Sequence, residues 1–167
     1  MCLVTRWVAA ISLLAAFTLG AASRSIPAIS NRQQASLTGI NSIFVLVERL
    51  PNGAKKLALS EEIIQTDVEL KLRLAGLRVV TMAESVNLPG SPYLYVNLNV
   101  TSGAEAASID ISLHQDATLQ RNGQRAGGVG TWTNEMLIAN PSVQGIRNSV
   151  KDVTDKFLND WLAANPK

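Results

Sequence analysis

The chain has 167 residues, of which 47% are hydrophobic and 17% charged, with a formal net charge of +2. Its basic residues are scattered among acidic ones, which argues against the basic patch or stripe typical of nucleic-acid binding. The single cysteine, Cys2, excludes an intramolecular disulfide and a thiolate metal cluster.

The first 22 residues have the pattern of a secretory signal peptide. One positive charge, at Arg6, precedes an apolar run from Trp7 to Leu19, and Gly20 and Ala22 form a small-residue cleavage site. This pattern predicts cleavage before Ser23, and export to the periplasm or the extracellular space. The alternative is an uncleaved anchor, but the run is shorter than the roughly 20 apolar residues that span a bilayer. We therefore expect no stable membrane anchor after cleavage.

Residues 23–41 are polar, poor in aromatic residues and without a clear period. This composition predicts a flexible linker. The remaining residues, 42–167, are then one domain, long enough to bury a core without disulfides.

The domain opens with a strand, a helix and a second strand. Residues 42–50 are nearly all apolar or β-branched, which is typical of a strand covered on both faces. Ser60 then begins a helix as its N-cap, and Gly76 ends it. Residues 77–82 form the next strand. So short a strand–helix–strand unit favours a right-handed parallel crossover.

Two segments then alternate between apolar and polar residues, as half-buried strands do. They cover residues 93–101 and 108–120. After them, Asn122-Gly123 predicts a two-residue hairpin turn to a further strand.

This hairpin sets a register in which directly opposed residues have numbers that add to 245. Trp132 then lies opposite Leu113 on the buried side, where Gly128 and Gly130 allow a helix to approach the sheet closely. On the polar side, Thr131 lies opposite His114. A bulge in the ladder would exchange these faces.

Residues 140–165 carry an apolar stripe at helical spacing and an opposite face of mixed charge, which predicts a long amphipathic helix. The predicted fold is a two-layer α/β (α+β) sandwich. It contains a mixed sheet of about five strands with two helices on one face, in the order βαββββα.

The polar side of the sheet is the candidate binding surface. It combines tyrosines, amides and hydroxyls without strong charge, a composition common at protein interfaces and ligand sites. An ordinary solvated sheet face is the alternative reading. The predicted members are Tyr93, Tyr95, Asn97, Asn99, Ser112, His114 and Thr131.

His114 is the only histidine, and Asp110, Ser112 and Asp116 share its strand face. This set would suit a hydrolase or a metal site. However, strand neighbours two residues apart normally point parallel into solvent, whereas a nucleophile needs a base within hydrogen-bonding reach. Zinc usually requires three or more protein ligands. We therefore predict no catalytic residue, no metal and no cofactor.

Carboxylate pairs occur early in the first predicted helix, namely Glu61 with Glu62 and Asp67 with Glu69. Acidic residues near a helix start are stabilised by the helix dipole. This explanation requires no acid–base chemistry.

The order of elements from residue 42 to residue 166, after an exported linker, resembles the small periplasmic domains of envelope accessory proteins. Examples are penicillin-binding-protein activator lipoproteins and curli secretion components. The resemblance is one of architecture without a shared motif, and it departs from those families in lacking their lipid-anchored cysteine. It implies an accessory role in a bacterial-type envelope but assigns no residue.

Three functions follow as hypotheses. The first is an exported, non-catalytic binding or assembly module whose partner is an envelope protein or a cell-wall component. The second is a small hydrolase or metal-dependent enzyme that uses His114. The third is a self-associating structural domain that forms a homodimer through its polar face or a sheet edge.

Overall fold

The structure is a computed structural model that describes residues 29–166. Within this range the strands are β1 (Ser42–Val47), β2 (Arg78–Val79), β3 (Tyr93–Val100), β4 (Ala106–Thr118) and β5 (Arg125–Ala139). The helices are α1 (Ile29–Ala35), α2 (Asn52–Lys56), α3 (Glu61–Leu74), α4 (Met82–Ser85) and α5 (Val143–Ala164). The predicted signal peptide lies outside the described residues.

The strands form one mixed sheet in the order β2-β1-β3-β4-β5. β1 runs parallel to both β2 and β3, whereas β3, β4 and β5 are antiparallel. The long helices α3 and α5 pack against each other and against the sheet, so both lie on the same face. The predicted two-layer sandwich and its βαββββα core are therefore confirmed.

Both long helices begin at the side-chain caps that their sequences provide. Ser60 Oγ accepts a hydrogen bond from the Ile63 N–H (3.4 Å), and Ser142 Oγ accepts one from the Gly145 N–H (3.0 Å). At the end of α3, Gly76 adopts a φ of 93°, which a side chain would disfavour. Local sequence thus sets the lengths of the two helices that cover the sheet.

The core fills the space between the sheet and the two helices. The apolar residues of β3 and β4 that alternate with polar ones are buried, as predicted. Trp132 of β5 meets Phe157 of α5 edge to face at 5.2 Å, and its Nε1–H donates to Asp160 Oδ2 at 3.0 Å. This contact attaches the outer strand to the longest helix.

The described part of the predicted linker, residues 29–41, differs from a flexible segment. It contains α1, and Leu37 and Ile40 are buried in the core. The Ile40 carbonyl accepts a hydrogen bond from Trp161 Nε1 (2.7 Å), and the Leu37 carbonyl accepts one from Asn165 Nδ2 (3.0 Å). Leu37 and Ile40 do not form a helical or strand-like hydrophobic period with their neighbours, so the sequence pattern does not predict that this segment packs on the core. The division of the chain at residues 22 and 41 stays a prediction.

The second predicted strand is much shorter than expected. β2 contains only two residues, and the chain then enters α4. Thr81 and Glu84 cap this helix reciprocally, each side chain accepting from the other's backbone N–H. The T-x-x-E spacing at these positions is a helix-start signal that the apolar run around it concealed.

Asp67 has a different role from the one expected of an acid near a helix start. It lies in the middle of α3 with its side chain only 8% exposed, and Arg147 of α5 holds it with two hydrogen bonds of 2.7 and 2.9 Å. Lys151 lies 3.3 Å away. The hydrogen bonds from Arg147 hold the pKa of Asp67 below its usual range. The carboxylate therefore joins the two long helices.

We expect Asp67→Ala to lower the free energy of unfolding by about 1–3 kcal/mol, because it removes a buried carboxylate and leaves the half-buried Arg147 without its hydrogen-bond partner. The matched control is Asp155→Ala, which removes the ion pair between Lys71 and an aspartate whose side chain is 49% exposed. That change should cost less than about 1 kcal/mol. Urea denaturation of both variants at pH 7 measures the difference.

The pH dependence provides a second readout of the same contact. Because the folded-state pKa of Asp67 is lowered, its stabilisation is fully present above the unfolded-state pKa and is lost as pH falls through the folded value. The difference between wild type and Asp67→Ala should therefore shrink below about pH 4. Equal losses for Asp67→Ala and Asp155→Ala at pH 7 would contradict this account.

Candidate functional site

One side of the sheet carries no long helix, and we call it the open face. Period-two alternation in β3 and β4 places their polar residues there, opposite the side that packs on α3 and α5. Six of the seven predicted binding residues lie on it. They are Tyr93, Tyr95, Asn97, Asn99, Ser112 and His114.

An aromatic cluster occupies the middle of the open face. The His114 ring stacks on Tyr93 with centroids 5.1 Å apart and an angle of 21°, and it meets Tyr95 edge to face at 5.6 Å. The register explains both contacts, since His114 is directly opposite Tyr93 and diagonal to Tyr95. All three side chains are partly exposed to solvent.

Hydrogen bonds fix the His114 ring on both sides. Its Nδ1 lies 3.0 Å from the Gly128 carbonyl oxygen, and its Nε2 lies 3.1 Å from Ser112 Oγ. Because a carbonyl oxygen only accepts, Nδ1 carries a proton. Ser112 Oγ also lies 3.2 Å from Asp110 Oδ1, and Thr133 Oγ1 donates to Asp110 Oδ2 at 3.2 Å. The ring is therefore held in one orientation.

Thr131, the seventh predicted residue, is not part of this arrangement. The predicted register holds from the open end of the hairpin up to Leu113 opposite Trp132, and then shifts twice before the turn. His114 consequently pairs with Gly130. Thr131 Oγ1 instead accepts a hydrogen bond from Gln115 Nε2 (2.9 Å), which also donates to the Ser36 carbonyl beside α1. The prediction that Thr131 faces His114 is wrong because the ladder is bulged.

The same shifts change the role of two glycines. Gly128 and Gly130 do not admit a helix on the buried side, as the unshifted register predicts. A Cβ atom on Gly128, where φ is 61°, would lie 3.4 Å from the Tyr93 hydroxyl, and one on Gly130 would lie 3.8 Å from His114 Cε1. Both glycines therefore lie next to the aromatic cluster, and the positive φ of Gly128 is the feature that favours glycine there.

Tyr95 has a charged partner beyond the end of β1. Its hydroxyl donates a hydrogen bond to Glu48 Oε2. This bond and the negative charge of Glu48 raise the pKa of Tyr95 to about 12, because an ionised phenol would lose the bond and face a carboxylate. Tyr95 is therefore a neutral hydrogen-bond donor across the physiological range.

An apolar groove, which the sequence did not predict, lies beside the aromatic cluster. Phe44 and Leu46 of β1 line it, together with Met82 and Val86 at α4, and its volume is about 300 Å³. A continuous apolar strand predicts cover on both faces, but here one side of β1 is only bordered by α4. The apolar run of residues 42–50 contains the groove residues Phe44 and Leu46, but an apolar run predicts burial and does not distinguish it from a groove.

The arrangement at His114 differs from a catalytic triad. Asp110 contacts Ser112 instead of the histidine, and the group that orients the ring is a backbone carbonyl. Ser112 is only 8% exposed. Ser112 pairs with Tyr95 of β3 and with Thr133 of β5, so the backbone N–H groups beside it bond within the sheet.

Residues 29–166 contain no group of three or more acidic, histidine or cysteine side chains placed to hold a metal ion. In the same range, no helix is both long and apolar enough to span a membrane.

Comparisons with known proteins gave similarities only at the level of structure. No family model and no curated protein matches the sequence. A dodecamer of PelC from Paraburkholderia phytofirmans is 15% identical with a TM-score of 0.40, covering 74% of this chain and 90% of that chain. Lipoprotein GNA1162 from Neisseria meningitidis is 17% identical with a TM-score of 0.36, covering 71% and 97%. A minor lipoprotein from Acinetobacter baumannii is 10% identical with a TM-score of 0.29. Similarity of this degree does not extend to function.

We expect the raised pKa of Tyr95 to depend on Glu48. In a Tyr93→Phe background Tyr95 is the only tyrosine, so absorbance at 295 nm during an alkaline titration reports its ionisation alone. The pKa should be about 12 and should move toward 10 in Glu48→Gln. Because the folded-state pKa is raised, the stabilisation is present below pH 10 and lost as pH rises toward 12.

The control is Glu135→Gln, which removes another carboxylate from the open face without touching Tyr95. It should leave the titration unchanged. Identical titrations for Glu48→Gln and its parent would show that the hydrogen bond does not form.

Proposed function

We propose that this chain is an exported, non-catalytic binding or assembly module of a bacterial-type cell envelope, and that its open face is the binding surface. The observation that carries the proposal is the aromatic cluster of Tyr93, Tyr95 and His114, which is held in place on a side of the sheet that the long helices leave uncovered. The partner is an envelope protein or a cell-wall component. The export step rests on the signal-peptide pattern of residues 1–22.

Preorganisation is the first physical support for a binding role. His114 is fixed by Ser112 and by the Gly128 carbonyl, and Tyr95 is fixed by Glu48. A side chain that is already ordered loses little rotamer entropy when a partner binds. Asn97 accepts a hydrogen bond from Asn99 Nδ2 (2.9 Å), which leaves further amide donors and acceptors for a ligand.

The apolar groove is the second support. Leu46, Met82 and Val86 are exposed large hydrophobic residues next to the polar and aromatic cluster. An apolar patch rimmed by polar residues is typical of an interaction site, because its burial by a partner releases ordered water. Groove and cluster together form a continuous surface with both apolar and hydrogen-bonding groups.

A charged side chain in the middle of this surface should prevent binding without disturbing the fold. We expect Asn97→Arg to reduce capture of the partner from envelope extract at least about tenfold, through steric overlap and an unpaired buried charge. The full chain with a C-terminal affinity tag is the bait. The matched control is Asn159→Arg, the same substitution on the exposed side of α5.

Circular dichroism establishes that both variants are folded. A component that wild type and Asn159→Arg retain, and that Asn97→Arg loses, supports the proposal. Equal retention by all three proteins would show that the open face is not the binding surface.

The hydrolase hypothesis keeps one favourable observation, the 3.1 Å contact between Ser112 Oγ and His114 Nε2. The buried serine and the engaged backbone N–H groups argue against it. We expect the full chain to hydrolyse p-nitrophenyl acetate and butyrate no faster than its Ser112→Ala variant does. A rate that disappears in both Ser112→Ala and His114→Ala, with folding intact, would instead establish an esterase.

A further inference from the structure

The two edges of the sheet are protected to different degrees. β2, at one edge, is only two residues long and starts with Arg78. β5, at the other, is 15 residues long. Edge strands present unpaired backbone groups that recruit other strands, and proteins normally blunt them by shortness, charge, proline or cover. Residues 133–139 of β5 contain neither proline nor a basic residue, and Glu135 is their only charged residue.

The helix α1 borders the first half of the β5 edge, where Gln33 lines cavities together with Thr131, Thr133 and Asn134. Beside α1, Ser36 Oγ lies 3.3 Å from the Thr131 carbonyl oxygen. Within residues 29–166, β5 pairs only with β4. In the described part of the chain, the outer side of residues 135–139 therefore remains available for strand pairing.

The hydrogen-bond phase identifies which backbone groups are available. In an antiparallel ladder, residues alternate between those bonded to the neighbouring strand and those pointing away from it. The Asn140 N–H donates to the Glu105 carbonyl oxygen (2.7 Å), so even-numbered residues at this end bond to β4. The N–H and C=O groups of Thr133, Glu135, Leu137 and Ala139 consequently point outward.

The side chains of this edge are apolar on both faces of the sheet. Leu137 lies on the open face opposite Ser108 and is 78% exposed. Met136 and Ile138 lie on the other face, partly buried against the core. A strand added here would cover Leu137 and extend the core beyond these two residues.

We propose that the β5 edge is the interface of a two-fold dimer, in which residues 135–139 of two copies pair antiparallel with Leu137 at the centre. Leu137 then lies opposite Leu137 of the second copy, Glu135 opposite Ala139, and Met136 opposite Ile138. The outward groups supply about six backbone hydrogen bonds. Leu137 lies at the margin of the open face, but the pairing uses backbone groups of the sheet edge, so the inference does not rest on the proposed function.

Self-complementarity selects this register. A two-fold axis at Glu135 would place two carboxylates directly opposite each other, which destabilises a sheet. It would also require the Thr131 carbonyl to face the second copy, although Ser36 Oγ already lies 3.3 Å from that oxygen. With Leu137 at the centre, no directly opposed pair within residues 135–139 consists of two like charges. The two copies then form a single ten-stranded sheet, with both open faces on the same side.

Cysteine cross-linking tests the register directly. In the full chain with Cys2→Ser, an introduced cysteine is the only thiol. Leu137→Cys places two thiols on directly opposed residues with Cα atoms about 5.5 Å apart, within disulfide range. Thr133→Cys places them roughly 27 Å apart, because antiparallel strands rise about 3.4 Å per residue. We expect Leu137→Cys to form a disulfide dimer under mild oxidation and Thr133→Cys to form at least tenfold less.

Light scattering over a concentration series tests whether the interface exists in the unmodified sequence. We expect wild type to dimerise, and Leu137→Lys to raise the dimer dissociation constant at least about tenfold because two like charges meet at the axis. Leu74→Lys is the matched control, since Leu74 on α3 is 79% exposed. It should leave the dissociation constant unchanged.

Three results would overturn the proposal. They are a wild-type monomer at every concentration, an assembly that Leu137→Lys leaves intact, and equal cross-linking of Thr133→Cys and Leu137→Cys. Loss of the dimer in Leu137→Lys alone, with circular dichroism unchanged, supports it.

Discussion

The pairing of β4 with β5 is the constraint on which the rest of the structure depends. From Ala106 to Leu113 the ladder is regular, and it delivers Trp132 to the core against Phe157. Two register shifts then reset the phase nearer the turn, so that His114 meets Gly130 and not Thr131. One pair of strands therefore decides how the outer strand is anchored, which residues form the aromatic cluster, and which backbone groups of β5 point outward.

Much of the fold could be predicted because its signals are local. Alternation in β3 and β4 and the Ser60 cap each act over a few residues, and the structure contains the strands and the helix that they specify. The Asn122-Gly123 signal marks the hairpin, but the predicted two-residue turn is wrong, because residues 120–123 form the loop between Leu119 and Gln124. Contacts between distant segments left no such signal. The docking of Leu37 and Ile40, and the pairing of Asp67 with Arg147, depend on residues about 80 or more positions away.

The candidate site likewise contains residues that local sequence patterns placed correctly and residues that they did not. Period two was sufficient to place six of the seven predicted residues on one face, since each strand is straight over that range. Thr131 was misplaced because the first register shift changes the phase by one residue, and the predicted assignments fail until a second shift restores the phase at Ala117 opposite Ala126. The glycines that accompany the shifts, Gly128 and Gly130, signalled an irregularity without showing where it occurs. The groove at Phe44 and Leu46 was hidden because an apolar run does not reveal which side lacks cover.

Site-specific photo-cross-linking in cells shows whether the open face contacts a partner, as we propose. A photoreactive phenylalanine analogue at Asn99, exposed on the open face, is compared with one at Asp152, exposed on α5. If the open face is the binding surface, we expect a discrete cross-linked product from position 99 and none from position 152. A product from position 152 alone would contradict it and place the binding surface on the helical layer.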